Sequence, residues 1–517
     1  MKEQPLVYLY DSTLRDGAQT LDVDFSVDDK RHIESLFDSF GIDFVEGGWP
    51  GSNPTDDAFF ATPARSTTSK RIAFGMTRKK NVRAEQDPQL QRLKACSADG
   101  FCIVGKCWDF HAQHALGVSL EENLRIIADS VAYLKQDNGF VLFDGEHFFD
   151  GYRNARDYAL RCLDQAQQAG ADWLILCDTN GGTLPEDIER VTQDVVQRFG
   201  GERIGIHCHN DIDMATACSL AAVRAGARQI QGTFNGLGER CGNANLVSIL
   251  PTLVYKMGYR TTLHDDALRR LTSISHSIDE IINRPPESHA PFVGRRAFAH
   301  KGGLHASAVA KNPTSYEHID PALIGNQRAL LVSNQAGRAS IRHRLSLCGI
   351  ENVTPAHLDA IIAEVKAREY QGYAYDAADA SFQLLARTII DPQPAPFTVH
   401  DYLVTSSAAQ DAHARVVIDY QGKRMDNEAN GNGPVNALDK ALRGLLTPLF
   451  PSLKELALMD YKVRIMAQHR DTAAKTRVII DYVDANKQEW ATVGVSHNVV
   501  AASWQALMDG ILWALRT

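Results

Sequence analysis

At 517 residues the chain is longer than one ordinary domain, and its 44% hydrophobic and 23% charged residues are the composition of a folded globular protein. A formal net charge of -9 without a long basic run argues against a nucleic-acid partner, while leaving room for a local positive site that takes an anionic substrate. No stretch approaches the roughly 18 apolar residues of a membrane span, and the N-terminus lacks the long apolar segment of a signal peptide.

In chain order, short apolar runs predict strands at Leu6 to Tyr10, Phe44 to Glu46, Ile72 to Met76, Phe101 to Gly105, Phe140 to Phe143, Trp173 to Cys177, Ile204 to Cys208 and Gln229 to Thr233. Amphipathic stretches between them predict helices. The first carries Ile33, Leu36, Phe37 and Phe40 on one stripe and stops at Gly41. Two later ones are expected to open at Pro185 and Asp213. Eight strands alternating with helices over about 250 residues predict a (β/α)8 TIM barrel over residues 1–280. An open doubly wound sheet is the alternative. It is disfavoured because polar residues recur at the C-terminal strand ends, from Asp11, Glu46 and Lys106 to Asp144, Asp178, His207 and Asn235. In a barrel those ends meet at one mouth.

Beyond the barrel, Tyr255 to about Asn283 reads as helical. A loop-rich segment follows with a second histidine pair, His300 and His305, and a further helix is predicted from Thr354 to about Lys366. Residues 281–392 are therefore read as linker and lid subdomains, with the linker "DPQPAP" (Asp391 to Pro396) across their C-terminal boundary. Residues 393–517 contain an internal repeat. "RVVIDY" (Arg415 to Tyr420) recurs as "RVIIDY" (Arg477 to Tyr482), each ahead of a turn and a helix, with Gly444 and Gly510 in matching places. The expectation is an α+β module of two pseudo-symmetric strand-strand-helix repeats. The nine cysteines are odd in number, show no disulfide framework and sit mostly in apolar runs, so they read as reduced, buried thiols of a cytoplasmic protein.

The stretch "GIHCHND" carries the chemistry that organises the rest. On a strand, His207 and His209 share a face while Cys208 points the other way, which sets two imidazoles side by side for a divalent metal. The alternative is a pair of polar strand-end histidines. At the end of the first strand, Asp16 can add an anionic oxygen to that metal, and Arg15 can hold an oxygen that becomes anionic. Two imidazoles and one carboxylate leave coordination positions open for a substrate. Mixed nitrogen and oxygen donors admit Mg, Mn, Zn or Co.

The motifs "DSTLRDGAQ", "CDTNGG", "GIHCHNDIDMATA", "GLGERCGNANL" and "HKGGLHASAV", in this order, resemble those of the isopropylmalate, homocitrate and citramalate synthase family. The likeness covers nearly the whole chain, and "GNGPVNALDKAL" is similar to the family's regulatory domain. "VEGGWPGSNPTD" and "FAHKGGLHASAV" look most like its citramalate-forming branch. Ser12 and Ala18 depart from a common threonine and glutamate, and "CDTNGG" from a leucine-glycine ending. The resemblance implies a metal-dependent acyltransferase that condenses acetyl-CoA with a small 2-oxoacid and hydrolyses the thioester. By the same resemblance Asp16, His207, His209 and Asn243 are metal ligands. Arg15 polarises the ketone, Thr179 binds the oxoacid carboxylate, and Gln19 also contacts substrate. Glu146 and His305 are candidate bases, and Tyr316 lies near His305. It further implies pyruvate as acceptor, a homodimer in which His305 arrives from a lid or a partner subunit, and a branched-chain amino-acid effector. That effector is isoleucine, or leucine if the chain makes isopropylmalate. Phe74, Met76 and Phe143 are expected near the mouth, where they would suit a small acceptor. An aldolase-type lyase on the same barrel, a metal-dependent hydrolase and a non-enzymatic amino-acid sensor are the rival readings.

Overall fold

A computed structural model describes residues 5–63, 66–300, 305, 308–309, 311–330, 338–375, 378–408, 410–466 and 474–516. Of the motif "HKGGLHASAV", residues 301–304 and 306–307 lie outside the described residues. The chain forms two compact units, Met1–Phe298 with Ile319–Gln327, and Ala299–His318 with Arg328–Thr517.

The first unit is a closed parallel barrel. Its strands are β1 (Leu6–Asp11), β2 (Phe44–Gly48), β3 (Lys70–Met76), β4 (Gly100–Lys106), β5 (Val141–Glu146), β6 (Trp173–Asp178), β7 (Ile204–Cys208) and β8 (Gln229–Gly232). Each pairs with the next, and β1 pairs with both β8 and β2, which closes the ring. All eight expected strands are present. Helices α1 (Val27–Phe40), α2 (Pro54–Phe60), α3 (Pro88–Ala95), α4 (Leu120–Lys135), α5 (Phe148–Gln168), α6 (Pro185–Phe199), α7 (Ala215–Arg224) and α8 (Leu246–Pro251) follow the strands in turn.

Alternation along the strands separates two cores. Tyr10, Phe44, Ile72, Phe74, Cys102, Leu142, Trp173, Ile175 and Cys177 pack together inside the barrel. Leu9, Val45, Ala73, Ile103, Phe143, Leu174 and Ile206 belong to the larger core shared with the helices. Phe143 is therefore on the outer face of the wall, not near the mouth as expected. Its neighbours Leu142 and Asp144 take the inner face instead.

Helix ends follow local chemistry. Ser26 and Asp29 form a reciprocal cap at α1, and Gly41 ends that helix at φ 98°, where a side chain would be strained. Pro185 opens α6 as expected. Asp213 does not open α7. It takes φ 60° in a turn, and the helix begins at Ala215. The span from Tyr255 to Asn283 is not one helix either. It breaks into a short turn, a two-residue strand at Arg260–Thr261 that pairs with β1, and a helix at Leu271–Ile281.

In the second unit, helices span Arg338–Leu347, Pro355–Gln371 and Asp379–Ile390. The repeat forms two antiparallel three-stranded sheets, Thr398–Thr405, Ala412–Tyr420 and Lys423–Gly431, then Ala457–Ile465, Thr476–Val483 and Glu489–Ser496. Each sheet is followed by one helix, Pro434–Leu446 or Val499–Ala514. The expected unit lacked a strand: each repeat has three, with "RVVIDY" and "RVIIDY" central. Both first strands carry a register irregularity, at Val399/Asp401 and Leu458/Asp460, which reinforces the symmetry. All nine cysteines are unpaired, six of them buried. Among the described residues no helix is long and apolar enough to cross a membrane.

Candidate active site

The loop after β1 sets two site residues at once. The Asp11 carboxylate accepts from the Thr13 amide at 2.8 Å and its hydroxyl at 2.9 Å, and the Asp16 and Gly17 amides turn back to the Ser12 carbonyl. This tight turn directs Arg15 and Asp16 into the cavity inside the barrel. Arg15 Nε donates to Glu46 Oε2 at 2.8 Å, its Nη1 lies 3.4 Å from Asp16, and its guanidinium sits 3.9 Å over the Phe74 ring. Glu46 is fully buried and also accepts from the Tyr10 hydroxyl at 2.8 Å and from Ser12 Oγ.

His207, in β7, and His209, one residue past its end, face the same cavity, as the two-residue spacing predicts. Their ring centroids are 5.2 Å apart, and Cys208 packs outward. One donor atom each from Asp16, His207 and His209 lie within 4.8 Å of one another. Asp16 Oδ2 is 3.2 Å from His207 Nε2. His207 Nδ1 faces Gln231 Oε1 at 2.8 Å, and Gln231 Nε2 donates to Asp144 Oδ1 at 3.2 Å. With its amide hydrogen committed to Asp144, Gln231 accepts from Nδ1–H, so His207 turns a basic Nε2 towards Asp16. Asn243 joins His209 through an isolated backbone bridge and donates Nδ2 to Leu237 O at 3.2 Å.

A metal can be tested against these donors. Asp16 Oδ1, His209 Nδ1 and Asn243 Oδ1 are buried without any hydrogen-bond partner. Unpaired buried acceptors are costly, and a divalent cation would satisfy them. The set of two imidazoles, one carboxylate and one amide oxygen fits such an ion.

Electrostatics agree. Burial alone would raise the Asp16 carboxyl, but the Arg15 charge and the His207 hydrogen bond outweigh it and hold Asp16 well below the usual carboxylate range. Burial would lower His207, yet its hydrogen bond and charge pairing with Asp16 lift it to about 9. Burial and the neighbouring His207 push His209 down to about 4. One proton thus stands between Asp16 and His207, the place a cation would take, beside a neutral second imidazole. Burial raises Asp144 to about 6.

The same cavity, about 280 Å³, is lined by Gln19, Lys106, Glu146, Thr179 and Arg240, with apolar walls from Trp49, Phe74, Met76, Val104 and Cys177. Thr179 Oγ1 accepts from the His147 amide at 2.9 Å, so its own hydroxyl hydrogen is free to donate. Glu146 is ion-paired with Lys106. Of the expected site residues, Arg15, Asp16, Gln19, Glu146, Thr179, His207 and His209 all line this one cavity, and Asn243 adjoins it through His209. His305 and Tyr316 belong to the second unit, where their rings stack at 4.2 Å and both are exposed. The sequence reading assigned no role to Glu46, Lys106, Asp144 or Gln231. The first three were visible as polar strand ends, and Gln231 has the inward parity of the strand before Thr233.

Residues 6–278 match the HMGL-like family model, 292–372 the homocitrate synthase post-HMGL domain-like model and 376–514 the LeuA allosteric (dimerisation) domain. The chain is 46% identical to the (R)-citramalate synthase of Aquifex aeolicus over 98% of both chains. It is 46% identical to that of Synechocystis sp., over 99% of this chain and 96% of the relative. The chain belongs to the (R)-citramalate synthase family. A probable 2-isopropylmalate synthase of Methanopyrus kandleri is 30% identical over 98% of this chain and 97% of its own. Five (R)-citramalate synthases share 40–46% identity with the chain, above that 30%. The chain is accordingly an enzyme of the acyltransferase-type synthase class, carrying a barrel and a C-terminal domain of the LeuA type.

Proposed function

We propose that this chain condenses acetyl-CoA with pyruvate and hydrolyses the thioester to give (R)-citramalate. The observation that carries the reading is the convergence of Arg15, Asp16, Glu146, Thr179, His207 and His209 on one small cavity in a chain 46% identical to citramalate synthases. Asp16, His207, His209 and Asn243 would hold a divalent cation, which supplies Lewis-acid polarisation of the ketone. Arg15, always charged and braced by Glu46, holds the ketone oxygen as it becomes anionic. The free hydroxyl hydrogen of Thr179 and the amide of Gln19 orient the oxoacid carboxylate. Glu146 takes a proton from the acetyl methyl. His305 and Tyr316, stacked on one another, are proposed to complete proton transfer from the segment after the barrel.

A small acceptor is supported by the apolar walls of Trp49, Phe74 and Met76, where Trp49 and Phe74 meet edge to face at 5.4 Å. The division into a barrel over 1–280, linker subdomains over 281–392 and a regulatory domain over 393–517 is part of the proposal, supported by the three family matches. So are a homodimer and an isoleucine effector acting through the C-terminal repeat, supported by the match to the LeuA allosteric (dimerisation) domain. Nine unpaired cysteines support a reducing, cytoplasmic setting.

The test is thiol release from acetyl-CoA with pyruvate, 2-oxobutyrate, 2-oxoisovalerate or 2-oxoglutarate, compared by kcat/KM. Pyruvate should lead. A lead for 2-oxoisovalerate would make the chain an isopropylmalate synthase, and no release with any acceptor would end the condensation reading in favour of a lyase, hydrolase or sensor.

A further inference from the structure

Lys106 closes β4 and Glu146 closes β5, and the parallel register sets the two opposite each other. Both side chains line the cavity that holds Arg15 and Asp16, and they meet as an ammonium-carboxylate pair with 17% and 22% of their surface exposed. The pair is held from behind. The Cys107 amide donates to the Glu146 carbonyl at 3.0 Å, and Asn123 Nδ2 donates to the Lys106 carbonyl at 2.8 Å. At Gly151, on the first turn of α5, a Cβ would come within 2.2 Å of the Cys107 carbonyl, so the helix seats directly against this corner. The other cations of the cavity are committed: Arg15 to Glu46 and Asp16, and Arg240 to Asp211. Lys106 is the one paired with the carboxylate proposed to take the methyl proton.

We propose that Lys106 is a catalytic residue that stabilises the thioester enolate of the acetyl donor. This rests on the condensation reading above. When Glu146 removes a methyl proton, the C–H electron pair becomes the carbon-carbon double bond of the enolate, and a thioester carbonyl pair moves onto oxygen. Glu146 is then neutral and no longer needs a counter-ion. The ammonium that balanced it is then available to the new oxyanion, so the charge of the cavity is unchanged through the step. The enolate carbon then attacks the ketone carbon, whose oxygen takes the displaced pair beside Arg15, and the thioester carbonyl reforms. A cation already desolvated and fixed next to the base needs little reorganisation as charge moves, which is where electrostatic catalysis gains most. Lys106 thus serves the donor half of the reaction as Arg15 serves the acceptor half.

The test uses the full-length, metal-loaded chain and its Lys106→Met and Lys106→Arg variants, with acetyl-CoA and methyl-deuterated acetyl-CoA as donors and pyruvate as acceptor. Lys106→Met should lower kcat for thiol release about 10²–10³-fold, with KM for pyruvate within about threefold and a deuterium effect at least as large as that of the parent chain. Lys106→Arg, which keeps the charge, should recover at least about tenfold of the loss. Manganese binding, which does not use Lys106, reports whether the barrel is intact. Should Lys106→Met fail that check, Lys106→Arg decides alone. With manganese binding intact, a kcat above about a tenth of the parent's supports the proposal and one below about a hundredth overturns it. A Lys106→Met kcat within about threefold of the parent, or equal losses in the two variants, would also overturn it. Failure of the parent chain itself to release thiol with any oxoacid would refute the condensation reading, an outcome distinct from a slow variant beside an active parent.

Discussion

Replacing Glu46 with Gln probes the support under the site without touching a proposed ligand. The Glu46 carboxylate has no exposed surface and accepts from Tyr10, Ser12 and Arg15 together. A Gln amide offers one oxygen and two hydrogens, so at least one of those donors would face an N–H. Arg15 would keep Asp16 at 3.4 Å as its one ionic partner in the cavity, beside the Phe74 ring at 3.9 Å. Breaking a buried ion pair costs about 3–5 kcal/mol. The remaining Asp16 contact and the 13% exposure of Arg15 bring the expected loss to about 2–4 kcal/mol. Arg15 would also lose its fixed aim, which should lower kcat for thiol release about 10²–10³-fold, the usual cost of losing a placed oxyanion donor. The assays are the urea midpoint of the barrel transition, converted with its m value, and thiol release in the presence of pyruvate. A stability change below about 0.5 kcal/mol together with activity within about threefold would refute the reasoning.

Gln231→Leu removes the acceptor that orients His207, and calorimetric titration should find manganese affinity reduced about 10–100-fold with the barrel still folded. The pH dependence of metal binding follows from His207, raised to about 9 by Asp16 once burial is overcome. A cation must displace that proton, so apparent manganese affinity should rise with pH, by up to about tenfold per unit, and level off near 9. In the metal-free chain the sign reverses. Stability from the His207–Asp16 pair is full below the ordinary histidine pKa of about 6.5 and is lost as pH rises through about 9. Metal affinity independent of pH between about 6.5 and 8.5 would contradict this. In the C-terminal repeat, a Cβ at Gly510 would meet the buried Tyr482 ring at 2.3 Å, so Gly510→Ala should cost about 1–3 kcal/mol in that unit while manganese binding is unchanged.

Much of the barrel was legible because a parallel strand buried on both faces is a short apolar run that ends in polar residues at the mouth. The shared face of His207 and His209 follows from the two-residue period alone. The same parity would have turned Phe143 outward, since Asp144 and Glu146 take the inner face. Partnerships across strands were not legible. Lys106 meets Glu146, and Glu46 meets Arg15, only through register and ring closure, which no local pattern encodes. The first strand of each C-terminal repeat was missed because Thr398–Thr405 and Ala457–Ile465 are largely exposed and so lack a clear apolar face. The span from Tyr255 to Asn283 looked continuous because its apolar spacing persists through a break at Gly258.

The most direct measurement is CoA thiol release from acetyl-CoA and pyruvate by the parent chain and by Asp16→Asn, each assayed beside its manganese occupancy. The parent should bind the metal and turn over, while Asp16→Asn should lose both, with pyruvate-dependent release falling to background. Turnover by Asp16→Asn comparable to the parent's, or activity in the parent that survives complete removal of metal, would contradict a cation held by Asp16, His207 and His209 as the centre of the chemistry.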